Sequence, residues 1–191
     1  MKNLKFFLLL LALTGMVVTW QSCGKDDEPT PEATCTDGIM NGEETGVDCG
    51  GPDCQPCEVG VQGKWQSSGD NVAPLLVALF ATDSIYAEFN TDNTYLVEQY
   101  DTSGTKLTLE GTYTQKESGV GNIWEITVNQ SSPAALTSEG IFEVTDNTMK
   151  YEIVQTSPDI SAVPPTAAAG FGSTNGGALG ESNVQVYERV E

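Results

Sequence analysis

From residue 61 to residue 191 the sequence alternates apolar and polar residues with a period of two, and this feature constrains the fold more than any other. Such alternation places successive side chains on opposite faces of a β-strand, so that one face is apolar and the other is polar. It is clearest in KLTLEGTYT, NIWEITV and MKYEIV. Together with GKWQSS, SIYAEF, TYLVEQY, GIFEVT and NVQVYERV, these stretches predict eight strands.

Short segments rich in Asn, Asp and Gly separate the predicted strands, as in NTDNT, DTSGT, KESGVGN and TDNT. These residues favour hairpin turns, and consecutive short connections indicate an antiparallel meander. Eight strands with one apolar face leave no unpaired edge when they close into a barrel. The sequence therefore predicts an all-β fold: an eight-stranded antiparallel up-and-down barrel in residues 61–191.

Two segments interrupt the predicted strands. The first, NVAPLLVALFATD, follows Asp70 and Asn71, which are good helix caps, and has Pro74 in its first turn; it predicts one short helix over one end of the barrel. The second, residues 156–183, is a long connection rich in Gly, Ala, Ser and Pro. Loops of this length are either functional or disordered.

The first predicted strand begins with Gly63-Lys64-Trp65, which resembles the G-x-W signature of lipocalins. The resemblance implies that Trp65 packs across the closed end of a barrel. It also implies that an arginine in the last strand packs over this tryptophan, and Arg189, the single arginine of the chain, is the candidate.

A lipocalin-like barrel implies a binding module for one small apolar or amphipathic molecule, because eight strands enclose a space of about that size. The alternative is a structural or interaction protein, in which bulky inward side chains fill the barrel and the loops contact other macromolecules. The residues predicted to line the ligand site are Phe89, Leu109, Trp124, Phe142 and Tyr151.

Residues 35–58 form a separate acidic segment that contains four cysteines, Cys35, Cys49, Cys54 and Cys57. The C-x2-C pair is also a zinc-ligand spacing. In an exported chain, however, four cysteines in a segment too small for a hydrophobic core indicate two disulfides, and three pairings are open. The segment resembles the DGxxNGxExGxDCGGxxCxxC mini-module of bacterial surface proteins.

The same segment is a weak candidate for calcium. Its oxygen-bearing residues Asp37, Asn41, Glu43 and Asp48 follow an EF-hand-like count, but Ile39 occupies a ligand position and no helices flank the loop. The alternative is a solvated acidic spacer.

Residues 1–22 have the pattern of a signal peptide. Lys2 and Lys5 precede an apolar run at residues 6–18, which is shorter than the roughly 20 residues of a membrane-spanning helix. The stretch TWQSC resembles the lipobox of bacterial lipoproteins, in which the cysteine, here Cys23, receives a lipid. The chain has five cysteines, so lipidation of Cys23 would leave an even number for disulfides. The alternative is ordinary signal-peptide cleavage nearby, with Cys23 as a free thiol.

Residues 23–34 are predicted to be a disordered tether behind the lipidated cysteine. Their KDDE stretch resembles the lipoprotein export signal of Bacteroidetes, which implies the outer membrane and the cell surface. A solvated charged linker of any origin has the same composition.

Charge and composition narrow the function classes. With 27 acidic and 8 basic residues the net charge is −19, which excludes nucleic acid as a partner. The chain has no histidine and no G-x-S-x-G motif, so we expect no enzyme activity. We expect no cofactor, a monomer, and two partners: a membrane, through the lipid anchor, and a small hydrophobic ligand.

Overall fold

The computed structural model describes residues 34–54, Cys57 and residues 59–191. The predicted signal peptide, the lipidation site Cys23 and all but the last residue of the predicted tether lie outside the described residues. None of the helices in the described part of the chain has the length and apolar character that a membrane crossing requires.

Residues 61–191 form a closed barrel of eight antiparallel strands in sequential order, which confirms the predicted all-β, up-and-down architecture. Each strand pairs with its neighbours in sequence, and β8 returns to β1, where Trp65 lies opposite Arg189. The strands are β1 (Gly63–Ser68), β2 (Thr82–Phe89), β3 (Thr94–Asp101), β4 (Lys106–Val120), β5 (Ile123–Ser132), β6 (Leu136–Thr145), β7 (Thr148–Ser157) and β8 (Gln185–Val190).

The meander gives the barrel two distinct ends. At the end where β1 begins and β8 finishes, which we call the closed end, the connections are short hairpins. The other end, which we call the open end, carries the predicted short helix, α1 (Pro74–Phe80), and the long connection 158–184. The predicted caps Asp70 and Asn71 lie in a separate 3-10 turn, so α1 begins at Pro74 without a side-chain cap.

One predicted turn is displaced. The stretch KESGVGN was expected to be a loop, but β4 continues through it to Val120, and the turn is at Gly121 and Asn122. The pairing of β4 with β5 shifts between Glu117 and Val120, and Gly119 has a φ of 75° there. A bulge of this kind absorbs an extra residue without ending the strand.

The core fills the closed end of the barrel. Trp65, Phe142 and Met149 are fully buried, and the Trp65 indole N–H donates a hydrogen bond to the Val61 carbonyl oxygen at 2.8 Å. Gly140 allows close packing of the strands, since a Cβ at this position would lie 2.0 Å from the Glu152 carbonyl oxygen.

The long connection 158–184 packs back onto the outer face of the barrel. Alternation places Ile141 of β6 and Glu152 of β7 on that outer face, yet both side chains are fully buried. The Glu152 carboxylate accepts hydrogen bonds from the Gly172 N–H at 2.7 Å and from the Thr174 N–H at 3.0 Å, and a third from the Thr174 hydroxyl. The carboxylate therefore holds the connection against β7.

The acidic segment before the barrel contains the two predicted disulfides, Cys35–Cys54 and Cys49–Cys57. The pairing is interleaved, because the second bridge begins inside the loop closed by the first. All four sulfurs are consumed in these bonds, so the zinc alternative is wrong for this structure.

Candidate functional site

A cavity of about 210 Å³ lies inside the barrel towards the open end. It has an apolar part formed mainly by mid-strand positions and a polar part formed by side chains close to the open end. The apolar lining includes Ile85, Phe89, Val97, Leu109, Val128 and Ile153, and the polar lining includes Gln99, Gln130, Ser138, Asn183 and Gln185.

Three tyrosines also line the cavity: Tyr95 of β3, Tyr151 of β7 and Tyr187 of β8. Their side chains are 5%, 9% and 6% exposed, respectively. None of their hydroxyls has a hydrogen-bond partner among the described residues, whereas the Tyr113 hydroxyl, in the same core, donates to the Asn90 carbonyl oxygen at 2.8 Å. The cavity is therefore bordered by three phenols with unused hydrogen-bonding capacity.

Burial favours the neutral form of these three phenols. It raises the pKa of Tyr95 to about 12, and it also raises the pKa values of Tyr151 and Tyr187 above the ordinary value. For Tyr151, electrostatic repulsion from ionised Tyr187 and Tyr95 adds to the effect of burial. Neutral phenols donate as well as accept hydrogen bonds.

Amide side chains frame the polar part of the cavity, and their NH2 groups are bonded within the protein. Gln99 donates to the Thr82 hydroxyl at 2.7 Å, Gln130 donates to the Ala134 carbonyl oxygen at 2.8 Å, and Asn183 donates to the Ile153 carbonyl oxygen at 3.1 Å. Their own amide oxygens have no partner among the described residues.

Gln185 fixes the cover of the cavity. Its Oε1 atom accepts a hydrogen bond from the Ala73 N–H at 2.8 Å, and its Nε2 atom donates to the Ser67 hydroxyl and to the Asn71 carbonyl oxygen. These bonds hold the chain immediately before α1 against β8. As a result Ala73 and Leu76 reach the cavity wall.

The face of α1 that is turned away from the cavity is apolar and exposed. Val77, Leu79 and Phe80 are 45%, 64% and 59% exposed, respectively. The helix ends at Ala81, whose left-handed backbone conformation, with a φ of 52°, returns the chain into β2. The open end therefore presents apolar side chains to solvent beside the cavity.

The five predicted ligand-lining residues are divided between the two halves of the barrel. Phe89, Leu109 and Tyr151 line the cavity. Trp124 and Phe142 do not line it, because their positions on β5 and β6 lie closer to the closed end, where their rings stack with centroids 5.9 Å apart.

Tyr95 and Tyr187 were absent from the predicted lining. In TYLVEQY and NVQVYERV both faces carry apolar residues, so alternation alone does not assign these tyrosines to the inward face. For Tyr187 the available signal was its position two residues before Arg189, which the resemblance placed over Trp65 at the inward face.

At the closed end, Gly63, Trp65 and Arg189 are arranged as the lipocalin resemblance implies. The Arg189 guanidinium carbon lies 4.2 Å from the Trp65 ring centroid, and Nη1 donates to the Gln62 carbonyl oxygen at 3.2 Å. A cation over an indole face is a favourable electrostatic contact. These residues seal the end of the barrel away from the cavity.

The calcium candidates hold turns together in the acidic segment. Asp48 accepts both its hydrogen bonds from the Gly38 N–H, at 2.9 and 3.0 Å. Asp37 accepts from the Ile39 N–H and from the Asn41 side chain, and these bonds lower the pKa of Asp37. Glu43 is exposed.

A metal site needs at least three ligand atoms close together. Among the described residues, Cys35, Glu44 and Cys54 are the Asp, Glu or Cys residues that meet this condition, with ligand atoms within 4.8 Å of one another. Two of these are disulfide sulfurs, which are not thiolate ligands. The calcium prediction gains no support from this arrangement.

Comparison of the chain with protein-family models, with curated proteins and with solved structures found no match in any of the three. The class of protein is therefore defined by the fold and the site themselves: a closed eight-stranded antiparallel barrel, compatible with a lipocalin-like ligand-binding fold, with an internal cavity at its open end.

Proposed function

We propose that this chain is an exported lipoprotein of the outer membrane, displayed at the cell surface, whose barrel binds a small apolar or amphipathic ligand. The observation that carries the proposal is the cavity of about 210 Å³ inside the open end. Its apolar part favours a ligand with apolar surface, because each Å² of apolar surface that the ligand removes from water contributes about 25 cal/mol to binding.

The size of the cavity limits the ligand. Drug-sized ligands occupy pockets of about 300–1,000 Å³, whereas a cavity of about 150 Å³ accommodates benzene. The cavity therefore suits a molecule of about one ring with a short substituent. A long acyl chain is too large.

Filling the cavity tests the proposal. Val97 and Leu109 are paired on the adjacent strands β3 and β4, and both line the cavity. Val97→Phe and, as a second variant, Leu109→Phe should therefore place a ring in the space that the ligand uses. The control is Leu96→Phe, which adds the same ring to the outer face of β3. Circular dichroism and thermal unfolding identify the variants that keep the barrel.

The measurement is native mass spectrometry of the purified full chain, with isothermal titration of acetophenone as a small neutral probe. We expect Val97→Phe to weaken probe binding at least tenfold and Leu96→Phe to leave it unchanged. Absence of any bound mass and of any probe binding to the wild-type chain would refute the ligand-binding proposal.

That outcome would favour the second candidate function, an interaction protein without a ligand. The observation behind this alternative is the exposed apolar face of α1, because exposed apolar patches often mark contact surfaces.

We further propose that the protein is not an enzyme. Among the described residues, those that line the cavity include no Asp, Glu, Lys, Arg or Cys, and the sequence has no histidine. A hydrolytic or redox activity that is lost on changing one cavity residue would overturn this proposal.

The anchoring part of the proposal rests on the TWQSC motif. Two or more acyl chains, at about 0.8 kcal/mol per buried methylene, attach even a strongly anionic protein to a membrane. In a bacterium that processes lipoproteins, we expect alkynyl palmitate to label the wild-type chain and Ser22→Ala but not Cys23→Ser. Protease added to intact cells should degrade the labelled chain, and an unlabelled, freely released wild-type chain would refute the proposal.

A further inference from the structure

The three cavity phenols are unlike the other buried tyrosine of the barrel. Tyr95, Tyr151 and Tyr187 are each at least nine-tenths buried, and their hydroxyls have no partner within the described part of the chain. Buried tyrosine hydroxyls ordinarily find a hydrogen-bond partner, as Tyr113 does here. Among the described residues, the side-chain oxygen or nitrogen that is both fully buried and without a partner is Asn41 Oδ1. The three hydroxyls are therefore accessible from the cavity, where a bound molecule can form hydrogen bonds with them.

The rings are close enough to act on one ligand. The Tyr151 and Tyr187 ring centroids are 6.2 Å apart, and Phe89 lies between Tyr95 and Tyr151, at 6.1 and 6.3 Å from their centroids. The tyrosines come from β3, β7 and β8, so they approach the cavity from different sides. A ring-sized ligand would contact aromatic faces and hydroxyls together.

The electrostatics of the cavity exclude an anionic ligand. Within the part of the chain that the structure describes, no lysine or arginine lines it, and the chain carries a net charge of −19. A carboxylate that entered would lose its hydration without gaining a cation, which is strongly unfavourable. Arg189 lies over Trp65 at the closed end and is not part of the lining.

From these observations we infer that the cavity selects a small uncharged molecule with a carbonyl-type hydrogen-bond acceptor, held by the phenols of Tyr95, Tyr151 and Tyr187. The inference rests on the proposed ligand-binding function and specifies its ligand class. The partner-free amide oxygens of Gln99, Gln130 and Asn183 lie at the open end, where they accept from any N–H or O–H group of the same ligand.

Three probes of equal size and different chemistry test the inference: acetophenone, isopropylbenzene and benzoate. They have the same number of non-hydrogen atoms, but the first carries a neutral acceptor, the second carries none and the third is an anion. Isothermal titration with the full chain should rank acetophenone above isopropylbenzene, and isopropylbenzene above benzoate. The affinity for acetophenone should exceed the affinity for isopropylbenzene by about two- to tenfold for each hydrogen bond that acetophenone forms.

Hydroxyl deletions identify the groups responsible. Tyr95→Phe, Tyr151→Phe and Tyr187→Phe remove one oxygen each, and at least one of them should weaken acetophenone binding two- to tenfold while leaving isopropylbenzene binding unchanged. The control is Tyr113→Phe, whose hydroxyl bonds to Asn90, and it should leave the affinity for both probes unchanged.

The outcomes separate the inference from the proposed function. If isopropylbenzene binds as tightly as acetophenone, or if no hydroxyl deletion changes the ratio of the two affinities, the ligand class is wrong and the binding function stands. Tightest binding of benzoate would overturn the inference in the same way. If none of the three probes binds, the inference fails together with the proposed binding function.

Discussion

The burial of Glu152 leads to a prediction about the long connection 158–184. Glu152→Gln is nearly isosteric, but it replaces one acceptor oxygen with an NH2 group. The carboxylate accepts from the backbone N–H groups of both Gly172 and Thr174, so at least one of these donors loses its acceptor whichever way the amide turns. A buried donor left without a partner costs about 1–3 kcal/mol, and hydrogen bonds to a charged group lie in the upper part of that range.

We therefore expect Glu152→Gln to destabilise the connection by about 2–3 kcal/mol. If the connection opens with the whole barrel, the urea midpoint falls by about 0.7–3 M, since small domains lose about 1–3 kcal/mol of stability per molar urea. If it opens separately, amide hydrogen exchange in residues 158–184 accelerates about 30- to 150-fold while the barrel strands stay protected.

The control is Glu110→Gln, which makes the same chemical change at an exposed position on β4. It should change neither the urea midpoint nor the hydrogen exchange of the connection. The reasoning is refuted if Glu152→Gln leaves both quantities within error of the wild-type values, because the three hydrogen bonds would then contribute nothing to stability.

Three further predictions follow from the same structure. Arg189→Ala removes the cation above Trp65 and should lower the free energy of unfolding by about 1–2 kcal/mol, measured by tryptophan fluorescence in urea. Lys106→Ala, which removes an exposed ion pair with Glu98, should have a smaller effect. Burial raises the pKa of Tyr95 to about 12, while an unfolded tyrosine titrates near 10, so the folded barrel holds this proton longer. The resulting stability is fully present below about pH 10 and is lost as the pH rises to about 12. Tyr95→Phe should therefore flatten this part of the alkaline unfolding curve, and an unchanged slope would contradict the assignment. Replacing both Cys49 and Cys57 with serine removes their disulfide, which contributes about 2–3 kcal/mol to the stability of the acidic segment. Limited proteolysis should then cut that segment faster, while the urea midpoint of the barrel should stay at its wild-type value.

Alternation in the sequence predicts which face of a strand a residue occupies, and this was enough to obtain the barrel and its eight strands. It does not predict the height of a residue along the barrel axis, because that height depends on how far each strand is staggered against the next. Trp124 and Phe142 face inward as expected, but the stagger places them beside the closed end and not beside the cavity.

Glu152 shows a second limit of the sequence. It stands at a polar position of MKYEIV, where alternation predicts solvent exposure, yet the side chain is fully buried. The residues that cover it, Gly172 and Thr174, are about twenty positions away in a segment without periodicity. Burial by such a distant, irregular segment leaves no local pattern.

The disulfide pairing could not be predicted from the sequence either, because spacing alone permits all three pairings of Cys35, Cys49, Cys54 and Cys57.

The position of the cavity follows from the kinds of residues that face inward at the two ends. At the closed end the inward positions carry large apolar side chains, and the polar groups among them are bonded to nearby backbone, as Trp65 is to Val61. At the open end the inward positions carry Gln99, Gln130 and Ser138, which do not pack as densely as branched apolar side chains. A space bordered by polar side chains is hydrated, so a ligand that enters it must replace the hydrogen bonds that the polar groups make with water. An occupant with one apolar ring and at least one acceptor would satisfy both the apolar part of the cavity and its phenols. The same two-part lining would bind a pure hydrocarbon more weakly, because a hydrocarbon leaves the phenols without a partner, and would bind an anion most weakly, because the anion finds no cation there.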